Sequence, residues 1–301
     1  MNRLPQFLAC AVLLFVSTSA PAGDLARGVR GKIAAGDLST GIAQVEDYKR
    51  AKGVDAEYLD AIGWLARGAE MLRRPEIAER YVDELRREIP VENKDVLIPF
   101  GAKIEVTARL LAAREGRGAA LRYLGDELVL AKDTALRSRI SKNINLMSLE
   151  GREALPIGTA DHLAAAPAPL ASLKGKPVLL FFWANWCGDC KAQGESLARV
   201  WAKYRSQGLV MIAPTRYYGS VGEKDATPAE EKEQIAKVWK ESYPGLEDVP
   251  VAIDADTMVR YGASATPTFA LIDRKGIIRL YTPTRLSESE LSRQIDRLLA
   301  E

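Results

Sequence analysis

Two cysteines separated by two residues, Cys187 and Cys190 in the stretch NWCGDCK, can clip a metal, staple a turn or trade electrons. An acid, Asp189, stands between them, and the chain has one other cysteine, Cys10. A zinc site asks for four ligands. Once the N-terminal segment discussed below is removed, the chain offers this pair and a single histidine, His162, with no second cysteine pair. A purely structural disulfide across so short a ring would constrain little unfolded-chain entropy. Electron exchange needs one thiolate to attack a substrate disulfide and a second to resolve the mixed disulfide, and this spacing supplies both. Copper handling by two soft thiolates is a lesser alternative.

What the pair can do depends on where it is held. VLLFFW, Val178 to Trp183, is a continuous apolar run that predicts a buried strand. A helix is predicted from about Cys187 to Tyr204 and a further strand over LVMIA, residues 209–213, which together read as a βαβ unit. Cys187 then lies where a strand gives way to a helix, whose unpaired N–H groups and positive dipole end favour a thiolate. Thr227-Pro228-Ala229-Glu230 combines a capping Thr, a first-turn Pro and a Glu three residues on, so a helix starts at Pro228 and ends before Pro244. PVAID is a candidate short strand, and TPTFALIDRKGIIRLY predicts a hairpin turning at Arg274-Lys275-Gly276. Ser287 to Glu290 caps a last helix, which gives the order β-α-β-α-β-β-α. The loop PTRYYGSVGEKDAT, residues 214–227, is long for a βα connection and leaves the carboxyl end of a parallel strand. Tyr217 and Tyr218 are therefore candidate substrate contacts on the same rim as Cys187, with packing of the loop as the equal alternative.

Ahead of this region the composition differs. From Asp24 to about Glu150 the chain is rich in Ala, Leu, Arg and Glu at helical spacing. Tyr58, Ile62, Leu65, Ala69 and Leu72 form one stripe and Ile77, Tyr81 and Leu85 the next, with RRPE turning the chain between them. LARGAEMLRRPEIAERYVDEL, from Leu65, loosely echoes TARLLAAREGRGAALRYLGDEL, from Thr107, a spacing that allows stacked helical hairpins in the manner of a short solenoid. No residue pattern in this half suggests chemistry, which assigns it to binding or positioning. At the very start a basic residue, Arg3, precedes the apolar run FLACAVLLFV and the small residues Ala20-Pro21-Ala22, the form of a cleaved signal peptide. Ten apolar residues are short of the roughly 20 that span a bilayer. Cys10 stands inside that run, whereas a lipid-attachment cysteine should end it. The expected divisions are 1–22 signal peptide, 23–150 helical and 151–301 α/β, with the boundary near Gly151 where the composition changes. Forty-two basic and 40 acidic residues leave a formal charge of +2 with mixed signs along the chain, so no basic face for nucleic acid or acidic lipid is expected. Membrane association is expected only if the signal segment is retained.

FFWANWCGDCKA followed by SATPTFALIDRKGIIR resembles the thioredoxin superfamily. LKGKPVLLFFWANWC with VAIDADTMVRYGASATPTFALIDRKG is most similar to its exported TlpA/ResA-like branch, over about residues 153–301. The resemblance implies an α/β thioredoxin-like fold for that region and covers none of the helical half, which its periodicity gives as a separate all-α helical-hairpin domain. It also implies an exported, periplasmic or secreted thiol-disulfide oxidoreductase without a cofactor, acting on protein disulfides with an external electron donor or acceptor, and it favours the reducing direction. Cys187 would be the exposed nucleophile, Cys190 the buried resolving thiol and Trp186 a flanking aromatic. Pro267 would be a cis-proline, with Thr266 offering its backbone to an extended substrate. Three positions depart from the pattern: Phe181 stands where thioredoxins bury an Asp, Gln193 where the exported reductases often have Glu, and Asp189 where Pro is common. Neither acid that would help deprotonate Cys190 is present, and Asp189 is expected to make the pair less oxidising than a CGPC version. A peroxidase would need Thr or Ser three residues before the reactive cysteine, where Ala184 stands. A redox-inactive binding scaffold is the alternative from a different class.

Overall fold

The structure, a computed structural model, describes residues 23–300. The signal-peptide reading and Cys10 lie outside the described residues. The N-terminal half is helical: α1 (Asp24–Ala34), α2 (Leu38–Lys52), α3 (Ala56–Met71), α4 (Pro75–Glu88), α5 (Leu97–Glu115), α6 (Arg117–Leu130) and α7 (Thr134–Ser148). Local chemistry sets the starts. Asp37, Asp55 and Asp133 accept first-turn backbone N–H groups at the heads of α2, α3 and α7, and Pro75 opens α4. The helices pair as the hairpins α1–α2, α3–α4 and α5–α6, and α1, α3, α5 and α7 pack in succession along one row. Tyr58, Ile62, Leu65 and Ala69 of the first predicted stripe are buried in that row, with Leu72 half-buried at its end.

A buried carboxylate ties the row together. Glu105 on α5 accepts from Arg67 Nε of α3 at 3.2 Å and from Arg109 Nη2 at 2.9 Å, with Lys142 Nζ of α7 at 3.9 Å. Burial pushes the Glu105 carboxyl up, but Lys142, Arg67 and Arg109 outweigh it and hold it far below the usual carboxylate range.

The C-terminal half is built on a four-stranded sheet in the order β3-β2-β7-β8, with β2 (Val178–Phe182), β3 (Val210–Ile212), β7 (Thr268–Ile272) and β8 (Ile278–Thr282). β2 runs parallel to β3 and antiparallel to β7, and β7 and β8 form the predicted hairpin. All five residues of β2 are buried, because both faces of the sheet are covered. Leu179 and Phe181 face a core shared with α9 (Gly194–Tyr204), α10 (Pro228–Ser242) and α12 (Glu288–Ala300). Val178, Leu180 and Phe182 face a second core closed by α11 (Ala255–Arg260) and the segment around Ile157 and Leu173. This sheet order, with helices on both faces, is a thioredoxin-like fold. The capping box predicted at Thr227 and Glu230 is formed, and Ser287 and Glu290 bond each other at the head of α12.

The structure adds elements that the predicted order lacks. β1 (His162–Leu163) pairs antiparallel with β6 (Val251–Ala252), a two-residue hairpin joins β4 (Ser220–Val221) to β5 (Lys224–Asp225), and α11 stands between β6 and β7. Of these, β6 lies within the candidate strand PVAID, and the others are too short for periodicity to mark. The helix predicted as continuous from Cys187 is divided into α8 (Gly188–Lys191) and α9. At the break the Gln193 N–H bonds the Cys190 carbonyl three residues back, and Gly194 lies against α10 so closely that a Cβ would sit 2.2 Å from the Ser242 carbonyl oxygen.

The two halves meet between α7 and the region of α11. Asn145 Nδ2 donates to the Arg260 carbonyl at 2.9 Å, and the Tyr281 N–H donates to Glu150 Oε1 at 2.9 Å. At Gly262, with φ +61°, an added Cβ would sit 2.2 Å from the Lys142 backbone N, so a glycine is required on both counts. Past Gly151 the chain adds backbone bonds to β8 and its turn, from Gly151 to Ile278 and from Ala154 to Gly276.

Candidate active site

β2 ends at Phe182, and four residues carry the chain from the strand's carboxyl end to Cys187, which caps α8. Trp183 is anchored there by its indole N–H on the Ala213 carbonyl and by its own carbonyl, which accepts the Thr215 hydroxyl. Cys187 and Cys190 are joined as a disulfide, with Cα atoms 5.3 Å apart. The Cys190 N–H points at Cys187 Sγ from 3.1 Å. That contact would stabilise a thiolate on Cys187 once the bond is opened. Because α8 has only four residues, the local N–H carries this effect rather than the dipole of a long helix, which corrects the expectation from sequence.

The Thr266–Pro267 peptide is cis, and the Thr266 carbonyl oxygen lies 3.3 Å from Cys187 Sγ. A sulfur in a disulfide has no hydrogen to donate, so this is a packing contact. The expectation of an exposed Cys187 is not met in this oxidised form: it is 3% exposed and Cys190 fully buried. Bonding to Cys190 on one side and the Thr266 carbonyl on the other leave the sulfur little open surface. Trp186 beside it is 41% exposed.

Tyr217 and Tyr218 have different surroundings. Tyr218 meets the Trp186 ring edge-on at 5.3 Å and carries the Arg216 guanidinium 4.4 Å over its face, so it belongs to the rim of the cysteine pair. Tyr217 donates its hydroxyl to Asp161 Oδ2 at 2.7 Å, and Lys232 Nζ reaches Asp161 Oδ1 at 2.6 Å, which is the role of an anchor for the loop. Partial burial pushes the Asp161 carboxyl up, but the hydrogen bonds from Lys232 and Tyr217 and the Lys232 charge hold it below the usual range. Glu231, fully buried, accepts the Tyr218 and Gly219 N–H groups at 2.7 and 2.8 Å and fixes the same loop from α10.

Beneath the pair the floor is aromatic. Phe181, at the position of the missing acid, packs on Phe269 and edge-on to Tyr243, which also contacts Trp183 and Trp239. The Tyr243 hydroxyl is buried without a hydrogen-bond partner, and burial pushes it far above the usual phenol range. Gln193, where the resemblance suggests Glu, spends its amide on backbone: Nε2 donates to the Leu286 carbonyl and Oε1 accepts the Leu286 N–H, both at 2.9 Å. Glu195 is exposed and paired with Arg199. Asp189 faces Arg285, Oδ1 to Nη1 3.5 Å, both half-exposed. Sequence reasoning missed Arg285, because only the fold of the β8–α12 loop brings it back to the cysteines. His162 lies in β1 with Nδ1 3.2 Å from the Ala164 carbonyl, away from the pair. A cavity of about 310 Å³ lies at the other end of β2, lined by Leu170, Leu173, Lys174, Val178 and Asp273, and has no part in this site. Among the described residues no cluster of His, Cys, Asp or Glu could hold a metal ion, and no helix is long and apolar enough to cross a membrane.

Residues 152–281, which hold all of these groups except Arg285 and Leu286, match the AhpC/TSA family. This half of the chain is an AhpC/TSA thioredoxin-like domain. It is 26% identical over 148 residues to the thioredoxin-like protein YneN of Bacillus subtilis, covering 49% of this chain and 79% of that protein. It is 32% identical over 128 residues to the thiol-disulfide oxidoreductase ResA of Bacillus anthracis, covering 42% of this chain and 65% of that relative. The soluble secreted antigen MPT53 of Mycobacterium tuberculosis is 29% identical over 142 residues, which is 46% of this chain and 73% of the relative. Among solved structures, a secreted Mycobacterium tuberculosis disulfide oxidoreductase is 25% identical with a TM-score of 0.36, covering 47% of this chain and 96% of that one. The chain thus spans just under two thirds of the ResA relative, and none of these matches covers more than half of this chain.

Proposed function

We propose that this protein is an exported thiol-disulfide oxidoreductase that reduces protein disulfides through Cys187 and Cys190. The observation that carries the reading is the cysteine pair at the end of a buried strand, with the carbonyl that precedes a cis-proline 3.3 Å from Cys187 Sγ. In the reduced protein the Cys187 thiolate attacks one sulfur of a substrate disulfide, forms a mixed disulfide and expels the other substrate sulfur as a thiolate, which takes up a proton. The Cys190 thiolate then attacks Cys187 Sγ, which restores the intramolecular disulfide and releases the second substrate thiol. Two electrons and two protons pass to the substrate, and an external dithiol must return them, since no second cysteine pair exists to relay them.

Trp186, Tyr218 and the Thr266 backbone would line the path of an extended substrate, with Pro267 fixing that backbone and Tyr217 holding the loop. Asp189 would tune the potential of the pair. We assign residues 23–150 to a partner-binding domain and 151–301 to the redox domain, with residues 1–22 as a removed signal segment and a periplasmic or secreted location. Relatives that include a protein named as a secreted antigen support the export reading. Trapping tests it: a Cys190→Ser variant should accumulate mixed disulfides with target proteins that dithiothreitol releases. A Cys187→Ser, Cys190→Ser double variant with undiminished cellular function would instead favour a binding scaffold.

A further inference from the structure

We propose that Arg285 is a positioning residue of the cysteine pair: clamped beside Asp189 through Gln193, it offsets the aspartate charge and so sets how far the reduced pair favours the Cys187 thiolate. This rests on the dithiol–disulfide reading above and assigns a residue that the reading lacks.

The placement of Arg285 is built rather than incidental. Gln193 is 4% exposed and satisfies both the carbonyl and the N–H of Leu286, the residue after Arg285. The amide donates to one with its NH2 and accepts from the other with its oxygen, whereas an ionised glutamate at this position would set its charge against the Leu286 carbonyl. In a site with little water such a pair of bonds holds the loop firmly. A second tether lies outside the first, where Arg199 of α9 bonds Glu288 Oε2 at 2.6 Å at the head of α12. Because Gln193 follows Cys190 by three residues, the loop is fixed directly to the redox turn. The guanidinium of Arg285 then lies 3.5 Å from Asp189, between the two cysteines.

The charged groups on the surrounding elements show why this matters. Asp189 and Lys191 lie on α8 and Arg285 on the loop, Arg216 lies over Tyr218, Glu195 is paired with Arg199, and Glu231 is bound to loop N–H groups. A negative Asp189 two residues from the nucleophile opposes a thiolate, and Arg285 is the group placed to cancel that opposition. Thiolate stabilisation favours the dithiol over the disulfide, so Arg285 makes the pair more oxidising than Asp189 alone would.

The experiment compares full-length wild type, Arg285→Gln, Arg285→Lys and Gln193→Ala, with the first substitution repeated in an Asp189→Asn background. It reads the pH profile of iodoacetamide alkylation of Cys187 and the equilibrium with reduced and oxidised glutathione. Arg285→Gln should move the alkylation profile to higher pH and shift the equilibrium about threefold toward the protein disulfide, a size set by a half-exposed pair. Arg285→Lys should stay near wild type and Gln193→Ala should reproduce part of the shift. In the Asp189→Asn background the Arg285→Gln effect should fall to less than half, because the guanidinium has lost its anchor. A pair that exchanges normally but gives identical readings in wild type and Arg285→Gln overturns the proposal alone, as does an Arg285→Lys shift as large as that of Arg285→Gln. A wild-type pair that exchanges with neither glutathione nor dithiothreitol overturns both this proposal and the reading beneath it.

Discussion

Asp189 is the acid closest in sequence to the nucleophile, and its removal should act opposite to loss of Arg285. An Asp189→Asn variant is expected to react with iodoacetamide at lower pH and to shift its glutathione equilibrium about threefold toward the dithiol. Equilibration in redox buffers at fixed pH checks the sign. Phe181 offers a second residue-scale test, because restoring an acid there would bury a carboxyl among Phe269 and Tyr243. Phe181→Asp should lower stability by about 3 kcal/mol or more in urea unfolding. The cysteines and the Thr-Pro pair were readable because their chemistry is local and their motif is short. Arg285 was not, since nothing near it in sequence says that its loop returns to residue 189. The burial of Cys187 is not legible in the sequence either, because part of its cover comes from Thr266, 79 residues away.

At the scale of elements, the redox turn depends on a close approach between α9 and α10. Gly194→Ala would place a Cβ 2.2 Å from the Ser242 carbonyl oxygen, and backbone cannot yield as a flexible side chain can. A loss of about 3 kcal/mol in denaturant midpoint analysis is expected, with a disturbed Gln193 clamp. The loop bearing Tyr217 and Tyr218 should respond to acid through Asp161. Its folded carboxyl lies below the ordinary Asp value, so its contribution is fully present above about pH 4 and is lost as pH falls through the lowered folded value. Fluorescence of Trp186, which meets Tyr218 edge-on, should report loop release below pH 4, and Asp161→Asn should remove that transition. Capped helices and the β7–β8 hairpin were legible because their signals are local. The division of the helix after Cys187 was hidden, because the close approach of Gly194 to a carbonyl on α10 comes from outside the segment, and β1 is too short to carry a pattern, whereas β6 falls within the candidate strand PVAID.

Across the whole molecule the helical row and the sheet are joined through α7. Glu105 holds Arg67, Arg109 and Lys142 around one buried carboxylate, and Lys142 also lies beside Gly262 in the other half. Removing the carboxylate would take from Arg67 and Lys142 the acid they pair with, while Arg109 keeps Glu70 at 2.8 Å, so Glu105→Gln is expected to cost about 3 kcal/mol, measured by thermal or urea unfolding. Gly262→Ala should weaken the junction specifically, through its positive φ and its contact with Lys142, and should separate the unfolding of the halves in calorimetry. The helical hairpins could be read from 3.6-residue spacing, whereas the junction could not, since it rests on single hydrogen bonds such as Asn145 to the Arg260 carbonyl. All of these contacts serve a pair of sulfurs, and the most direct measurement is the native protein's response to dithiothreitol followed by brief iodoacetamide and mass analysis of each cysteine. The account predicts that the disulfide opens without unfolding, that Cys187 alkylates faster than an ordinary cysteine near neutral pH, and that Cys190 stays protected. A native disulfide that resists reduction until the protein unfolds, or a Cys187 that reacts no faster than Cys190, would contradict it.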